Sequence, residues 1–355
     1  VRTQLERADE ATAEGRDMMS QVASLMSVMS SVQTTGTVVR MDFQWPEYVV
    51  RANEWLARIA TLDVVDAASP ECAVGTMDAW LKLVLRMLAP FALVVALGVA
   101  NLALRCCRRR VAALRARITG AALGIFLVSF IVVADTALST WDCIGDGGGV
   151  MRSLASTPCD AEGHSYYREL EAASGTALAL LVAATAALAA AMRRMRHHLR
   201  TDESHMRAYG ALYLRYEDRF YSWEFLVIAR KVLLVAIAKL LSHSPAAQIA
   251  CVLVVLVVAL LLQLKYKPFL SDDIDRVERG LLGGCVAVAC LGVWSQYGAA
   301  SDAKGMAVTV AYFAVLALAA LAVAAPMRSI WRGNGTGGDS DAEAPQTETG
   351  AQGQA

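Results

Sequence analysis

Residues 246–264, AAQIACVLVVLVVALLLQL, run for nineteen positions without a charged residue, a glycine or a proline. As an α-helix this stretch is roughly 28 Å long, about the thickness of one bilayer core. Several runs of similar character lie elsewhere in the chain. The sequence therefore reads as a polytopic membrane protein, an all-α bundle of transmembrane helices. Composition agrees: 56% of the 355 residues are hydrophobic and mean hydropathy is +0.43, outside the soluble range. A formal net charge of zero gives no polybasic argument for a nucleic-acid partner. The chain opens at Val1 with no signal peptide, which reads as a piece or processed form of something longer.

Seven spans are predicted: Ala79–Leu104, Ile118–Thr140, Ala173–Met192, Tyr221–Leu241, Ala246–Leu264, Val277–Tyr297 and Met306–Pro326. Lys82 and Arg86 interrupt the first and are expected to snorkel to the interface. An eighth candidate, Met18–Val39, has no charge but is rich in Ser, Thr, Gln and Met. It fits either a span facing the protein interior or an amphipathic helix lying on the membrane. The expected organisation is a linker over 1–17, then the weak helix with an extracytoplasmic segment over 18–78. The seven-span domain fills 79–326, and a disordered tail follows over 327–355.

Arg and Lys fix the orientation. The 105–117 segment holds Arg105, Arg108, Arg109, Arg110, Arg115 and Arg117, and 193–219 holds Arg193, Arg194, Arg196, Arg200, Arg207, Arg215 and Arg219. Lys265 and Lys267 follow the fifth span, and Arg328 and Arg332 the seventh. All four segments alternate correctly if they are cytoplasmic. Residues 40–78 are then outside and the C-terminus is cytoplasmic, in a plasma membrane or an endomembrane. The opposite loop over 141–172 is acidic, with Asp142, Asp146, Asp160, Glu162, Glu169 and Glu171 against Arg152 and Arg168.

The cysteines sort by this orientation. Cys143 and Cys159 bound a Gly-rich outer loop and are a candidate disulfide, with Cys72 as an alternative partner for either. Cys106 and Cys107, followed by three arginines, are a juxtamembrane lipidation candidate or else two interfacial apolar residues. Cys251, Cys285 and Cys290 lie within spans and read as small apolar packing groups. His197, His198 and His205 have no familiar zinc spacing. With no Walker loop, GxSxG, HExxH or dinucleotide fingerprint, neither a catalytic residue, an enzyme activity, a metal nor a cofactor is expected. Gly280 and Gly284 form a GxxxG that permits close helix contact.

Charge inside the membrane is the informative chemistry. Ionised groups at depth pair, snorkel or line water. Asp135 and Lys239 fall at similar depth near the outer ends of their spans and either pair or snorkel separately. In YSWEFLVIARKVLLVAIAKLL, Glu224, Lys231 and Lys239 fall within roughly 80° on a helical wheel. Glu224 and Lys231 are placed to bracket an inner cavity, while Arg230 points elsewhere, to lipid phosphate or the cytoplasmic linker. Asp135, Glu224, Arg230, Lys231 and Lys239 are thus candidate gating or pathway residues. The competing reading has Tyr221, Trp223, Glu224, Arg230 and Lys231 anchoring a helix end at the interface. Arginines every third residue, as in a voltage sensor, are lacking.

Leu212, Tyr213, Tyr216, Tyr221, Trp223, Glu224, Arg230 and Lys231, then Gln248 opening the next helix and Lys267-Pro268-Phe269 closing it, form a recognisable block. Together with Trp45-Pro46, Cys72, the Leu88–Pro90 helix and the Cys143/Cys159 loop, it resembles the polytopic region of large protist and algal membrane proteins. That region is similar, remotely, to the transient-receptor-potential-like domain of fungal flavin-carrier and polycystin-like proteins. The likeness covers residues 18–325. It implies a cation channel, gated by an ectodomain or by membrane tension, with the lipid bilayer, cations and further copies of the chain as partners. No selectivity filter is visible. Three alternatives stay open: a small-molecule or lipid transporter, a seven-span receptor, and a membrane anchor for a larger surface protein. The spans show no clear repeat for the first. The second lacks the usual receptor signatures and has a very short loop at Ser242–Pro245.

Overall fold

The computed structural model describes residues 26–41, 43–61, 79–104, 112–144, 149–159, 165–197, 203–297 and 302–333. Among them, helix α1 covers residues 26–39. It is followed by α2 (Glu47–Thr61), α3 (Ala79–Ala103), α4 (Ala112–Leu138), α5 (Ser165–Met195) and α6 (Glu203–Tyr213). Then come α7 (Trp223–Leu240), α8 (Pro245–Tyr266), α9 (Asp272–Tyr297) and α10 (Asp302–Gly333). Between α4 and α5 the strands β1 (Cys143–Ile144), β2 (Val150–Met151) and β3 (Leu154–Pro158) form a small antiparallel sheet in that order. Helices dominate, as expected; α2, α6 and the sheet were not foreseen.

Among the described residues, six helices are long and apolar enough to cross a membrane: Leu83–Ala103, Leu114–Trp141, Tyr167–Met195, Pro245–Tyr266, Asp272–Tyr297 and Asp302–Ala324. The outward faces of four of them carry Leu93, Val99, Val182, Val254, Leu261, Val310 and Leu318, all exposed. A belt of this kind needs an apolar surrounding, and the chain is a multi-pass integral membrane protein. The fourth expected span forms α7 but is not among the six, because its eighteen residues carry Glu224, Arg230, Lys231 and Lys239. Helix α10 continues past residue 327 to Gly333.

Local sequence explains the boundaries of α8. Pro245 opens it, since its fixed φ and missing N–H suit a first turn. At the far end Lys267 turns left-handed (φ 43°) with its N–H on the Gln263 carbonyl at 3.2 Å, and Pro268 blocks continuation. A non-glycine residue in that conformation costs on the order of 1–2 kcal/mol. The short turn from α7 is closed by Gln248, whose amide donates to the Ala238 carbonyl at 2.9 Å.

Helix α4 packs against α3, α5, α6 and α7, while α8, α9 and α10 pack in chain order. Helix α7 touches both α4 and α8 and joins the two groups. Glycine permits the close approach of α9 to α10: a Cβ at Gly280 would meet Ala322 at 3.4 Å, and one at Gly284 would meet Val315 at 3.7 Å. Gly292 lies under the Phe43 ring, where any side chain would collide.

Helix α1 sits inside this bundle. No residue from 26 to 39 is exposed, and Gln33, Thr34 and Thr35 are buried. Ser31 and Thr35 hydroxyls lie 3.5 Å from the Cys285 thiol on α9. Of the two readings open for Met18–Val39, the described part matches the interior helix. Its polar residues lower hydropathy because they face protein rather than lipid. After α1 the chain is fastened to the end of α9 by Gln44 N–H on Gln296 Oε1 at 3.1 Å and by the Ser295 hydroxyl on the Gln44 carbonyl. There Trp45 packs edge-on to Tyr312, ring centres 6.4 Å apart.

Candidate functional site

The segment before α7 is tied to the turn between α8 and α9. Glu217 N–H donates to the Pro268 carbonyl at 2.9 Å and Leu270 N–H to the Arg215 carbonyl at 3.0 Å. The Tyr216 and Phe269 rings stack 4.9 Å apart. This cross-link sets Arg215 and Tyr216 against the first turn of α7, where Glu224 sits. Glu224 is buried, ion-paired with Arg215, and accepts a 2.7 Å hydrogen bond from the Tyr216 hydroxyl. Burial pushes the Tyr216 phenol up to about 12, against the pull of Arg215, so it remains a donor. A carboxylate in a first turn also suits the helix dipole.

Deeper along α7, Arg230 pairs with Glu278 of α9 at 3.6 Å, with both side chains at least 90% buried. Lys231 Nζ donates to Gln33 Oε1 of α1 at 3.0 Å. Among the described residues, no carboxylate lies within ion-pair distance of Lys231. A cavity of about 40 Å³ opens between these groups, lined by Ser30, Gln33, Arg215, Glu224, Lys231 and Glu278 among others. Ser30 Oγ is buried there with no hydrogen-bond partner among the described residues.

At the opposite end of α7, Lys239 Nζ lies 3.6 Å from Asp135 and 3.9 Å from Asp142. Asp135 also faces Arg40, at 3.7 Å, just past α1. Arg152 Nε meets Asp142 at 3.1 Å from the turn between β2 and β3. The Cys143–Cys159 disulfide ties β1 to the residue after β3 and closes the small sheet. A second cavity, of about 30 Å³, is lined by Gln33, Thr37, Arg40, Arg86 and Asp135 among others. Gln33 therefore lines both cavities. Each has room for a water or two.

Several expectations meet this geometry. Asp135 and Lys239 are paired, and Glu224 and Lys231 do border an inner cavity. Cys143 pairs with Cys159 rather than with Cys72. Others need correction. Arg230 reaches neither lipid nor linker; it faces Glu278, a partner on another helix that no single-helix wheel reveals. Arg86 lines the second cavity beside Asp135 instead of snorkelling away. Trp223, Glu224 and Arg230 are nearly enclosed by protein, so an interfacial anchor does not describe them. Cys72, Cys106, Cys107 and His198 lie outside the described residues, and His197 is exposed.

Sequence reasoning missed Arg40, Arg215 and Glu278. Their signals were present: Arg40 ends an uncharged run, and Glu278 is an acid near the start of an apolar helix. Comparison of the chain with family models, with curated proteins and with solved structures returns no match.

Proposed function

We propose that this integral membrane protein is a channel-type ion-transport domain whose conduit follows α1. One observation carries the reading. An interior helix rich in Ser, Thr and Gln links two charged clusters through Gln33, which borders a cavity on either side. Intramembrane charges facing a bundle interior mark pathways more often than scaffolding. Cavities this small pass no hydrated ion, so on this reading the conduit is shut. Opening requires α1 and α7 to separate.

In this proposal α7 is a seventh crossing. Its exposed Leu226, Leu233 and Leu240 recur every seventh residue and supply a lipid-facing stripe. The positive-inside rule puts the disulfide hairpin outside and the C-terminus in the cytoplasm, of a plasma membrane or an endomembrane. A transient-receptor-potential-like organisation and a cation as the conducted ion rest on the sequence resemblance alone.

A lipid or small-molecule transporter is the second reading. A groove of about 500 Å³ between α1, α9 and α10, lined by Val28, Leu281, Val315 and Leu316, favours it. Liposomes holding the purified protein, with and without membrane stretch, separate the two. The channel reading predicts ion flux above that of empty vesicles, altered by Glu224→Gln and Lys239→Gln. Folded protein that passes no ions under either condition removes it in favour of the transporter.

A further inference from the structure

We infer that the cavity beside Glu224 and Lys231 binds one monovalent anion of chloride size, with Lys231 Nζ and Ser30 Oγ as its donors. The carboxylates there are already taken. Glu224 is held by Arg215 and Tyr216, and Glu278 by Arg230. Lys231 touches the neutral Gln33 amide oxygen, and among the described residues no carboxylate lies within ion-pair distance of it. An ammonium without a counter-charge inside a helix bundle is costly, and such groups recruit a partner.

A second, independent feature points the same way. The Ser30 hydroxyl is 94% buried, borders the cavity and has no hydrogen-bond partner among the described residues. Arg215, which also borders the cavity, has an Nε without an acceptor there. Donors with no acceptor among the described residues, beside a lysine with no carboxylate in reach there, suit an anion of charge −1. A cavity of about 40 Å³ takes a halide with no more than a water beside it, and excludes phosphate by both size and charge. The binding site does not rest on the channel reading.

The test is thermal unfolding of the purified full chain in detergent, with sodium chloride replaced stepwise by sodium gluconate at constant ionic strength. Chloride and bromide should raise the unfolding temperature saturably. Lys231→Gln should weaken the apparent halide affinity by about tenfold or more, equivalent to about 1.4 kcal/mol. Lys231→Arg should retain the response, and Ser30→Ala should reduce it. A wild-type protein indifferent to halide overturns the site whatever the variants do, and so does an undiminished halide response in folded Lys231→Gln. Halide binding without liposome flux keeps the site and removes the channel. Flux with no halide response does the reverse.

Discussion

At its N-terminal end α7 holds charge in exclusive, buried pairs, Arg215 with Glu224 and Arg230 with Glu278. At its C-terminal end it shares charge along a chain, Arg40, Asp135, Lys239, Asp142 and Arg152, in which Arg40 is 46% exposed. The difference follows from solvent. Where water is excluded, each ion must be matched by a dedicated partner, because an unpaired ion keeps its full desolvation penalty. Where solvent reaches the cluster, as it does at Arg40, partners are shared and one lysine serves two carboxylates. Lys231 is the exception at the buried end, which is why the anion site is inferred there.

The largest expected effect comes from breaking a buried pair. Glu224→Ala strands Arg215 and should destabilise the protein by about 3–5 kcal/mol, measured by unfolding in detergent. A loss below about 1 kcal/mol would mean that solvent reaches this end and the contrast is wrong. Next is the hairpin that covers the exposed end. Replacing Cys143 and Cys159 by Ser opens a bridge spanning 16 residues. Chain entropy sets the loss near 3 kcal/mol by the same measurement.

Smaller still is the coupling between Asp135 and Lys239. A double-mutant cycle with Asp135→Asn and Lys239→Gln should give about 1 kcal/mol or less. The full charge swap, Asp135→Lys with Lys239→Asp, should restore only part of the loss. It sets like charges beside Arg40 and Asp142, each already within 4 Å of the residue replaced. Complete restoration would mean that Arg40 and Asp142 do not belong to the cluster. At the bottom of the scale, the exposed Arg51–Glu47 pair on α2 should contribute about 0.3 kcal/mol, so that Glu47→Gln leaves unfolding unchanged within error.

The sequence was most legible where one helix carries its own signal. The uncharged run of α8 announced a membrane helix, and the wheel of α7 put Glu224, Lys231 and Lys239 on one face. In the structure, Glu224 and Lys231 border the inner cavity and Lys239 faces Asp135. It was least legible where the meaning of a residue lies on another element. Helix α1 reads poorly by hydropathy because Gln33, Thr34 and Thr35 face protein, and only the fold distinguishes a polar interior from a polar surface. Arg230 looked misplaced until α9 brought Glu278 opposite it. The block from Leu212 to Phe269 read as a motif, and several of its residues prove to be mutual contacts. Tyr216 packs on Phe269, Pro268 accepts from Glu217, and Gln248 closes the turn after α7.

The central claim, a conduit along α1, is tested most directly by cysteine accessibility during flux. Ser30→Cys and Thr37→Cys border the two cavities, whereas Leu318→Cys lies on the exposed face of α10. In liposomes passing ions, a small charged thiol reagent should block flux through the first two variants and leave the third unaffected. Flux that continues after complete labelling at positions 30 and 37, or that is blocked equally from position 318, would contradict a path along α1.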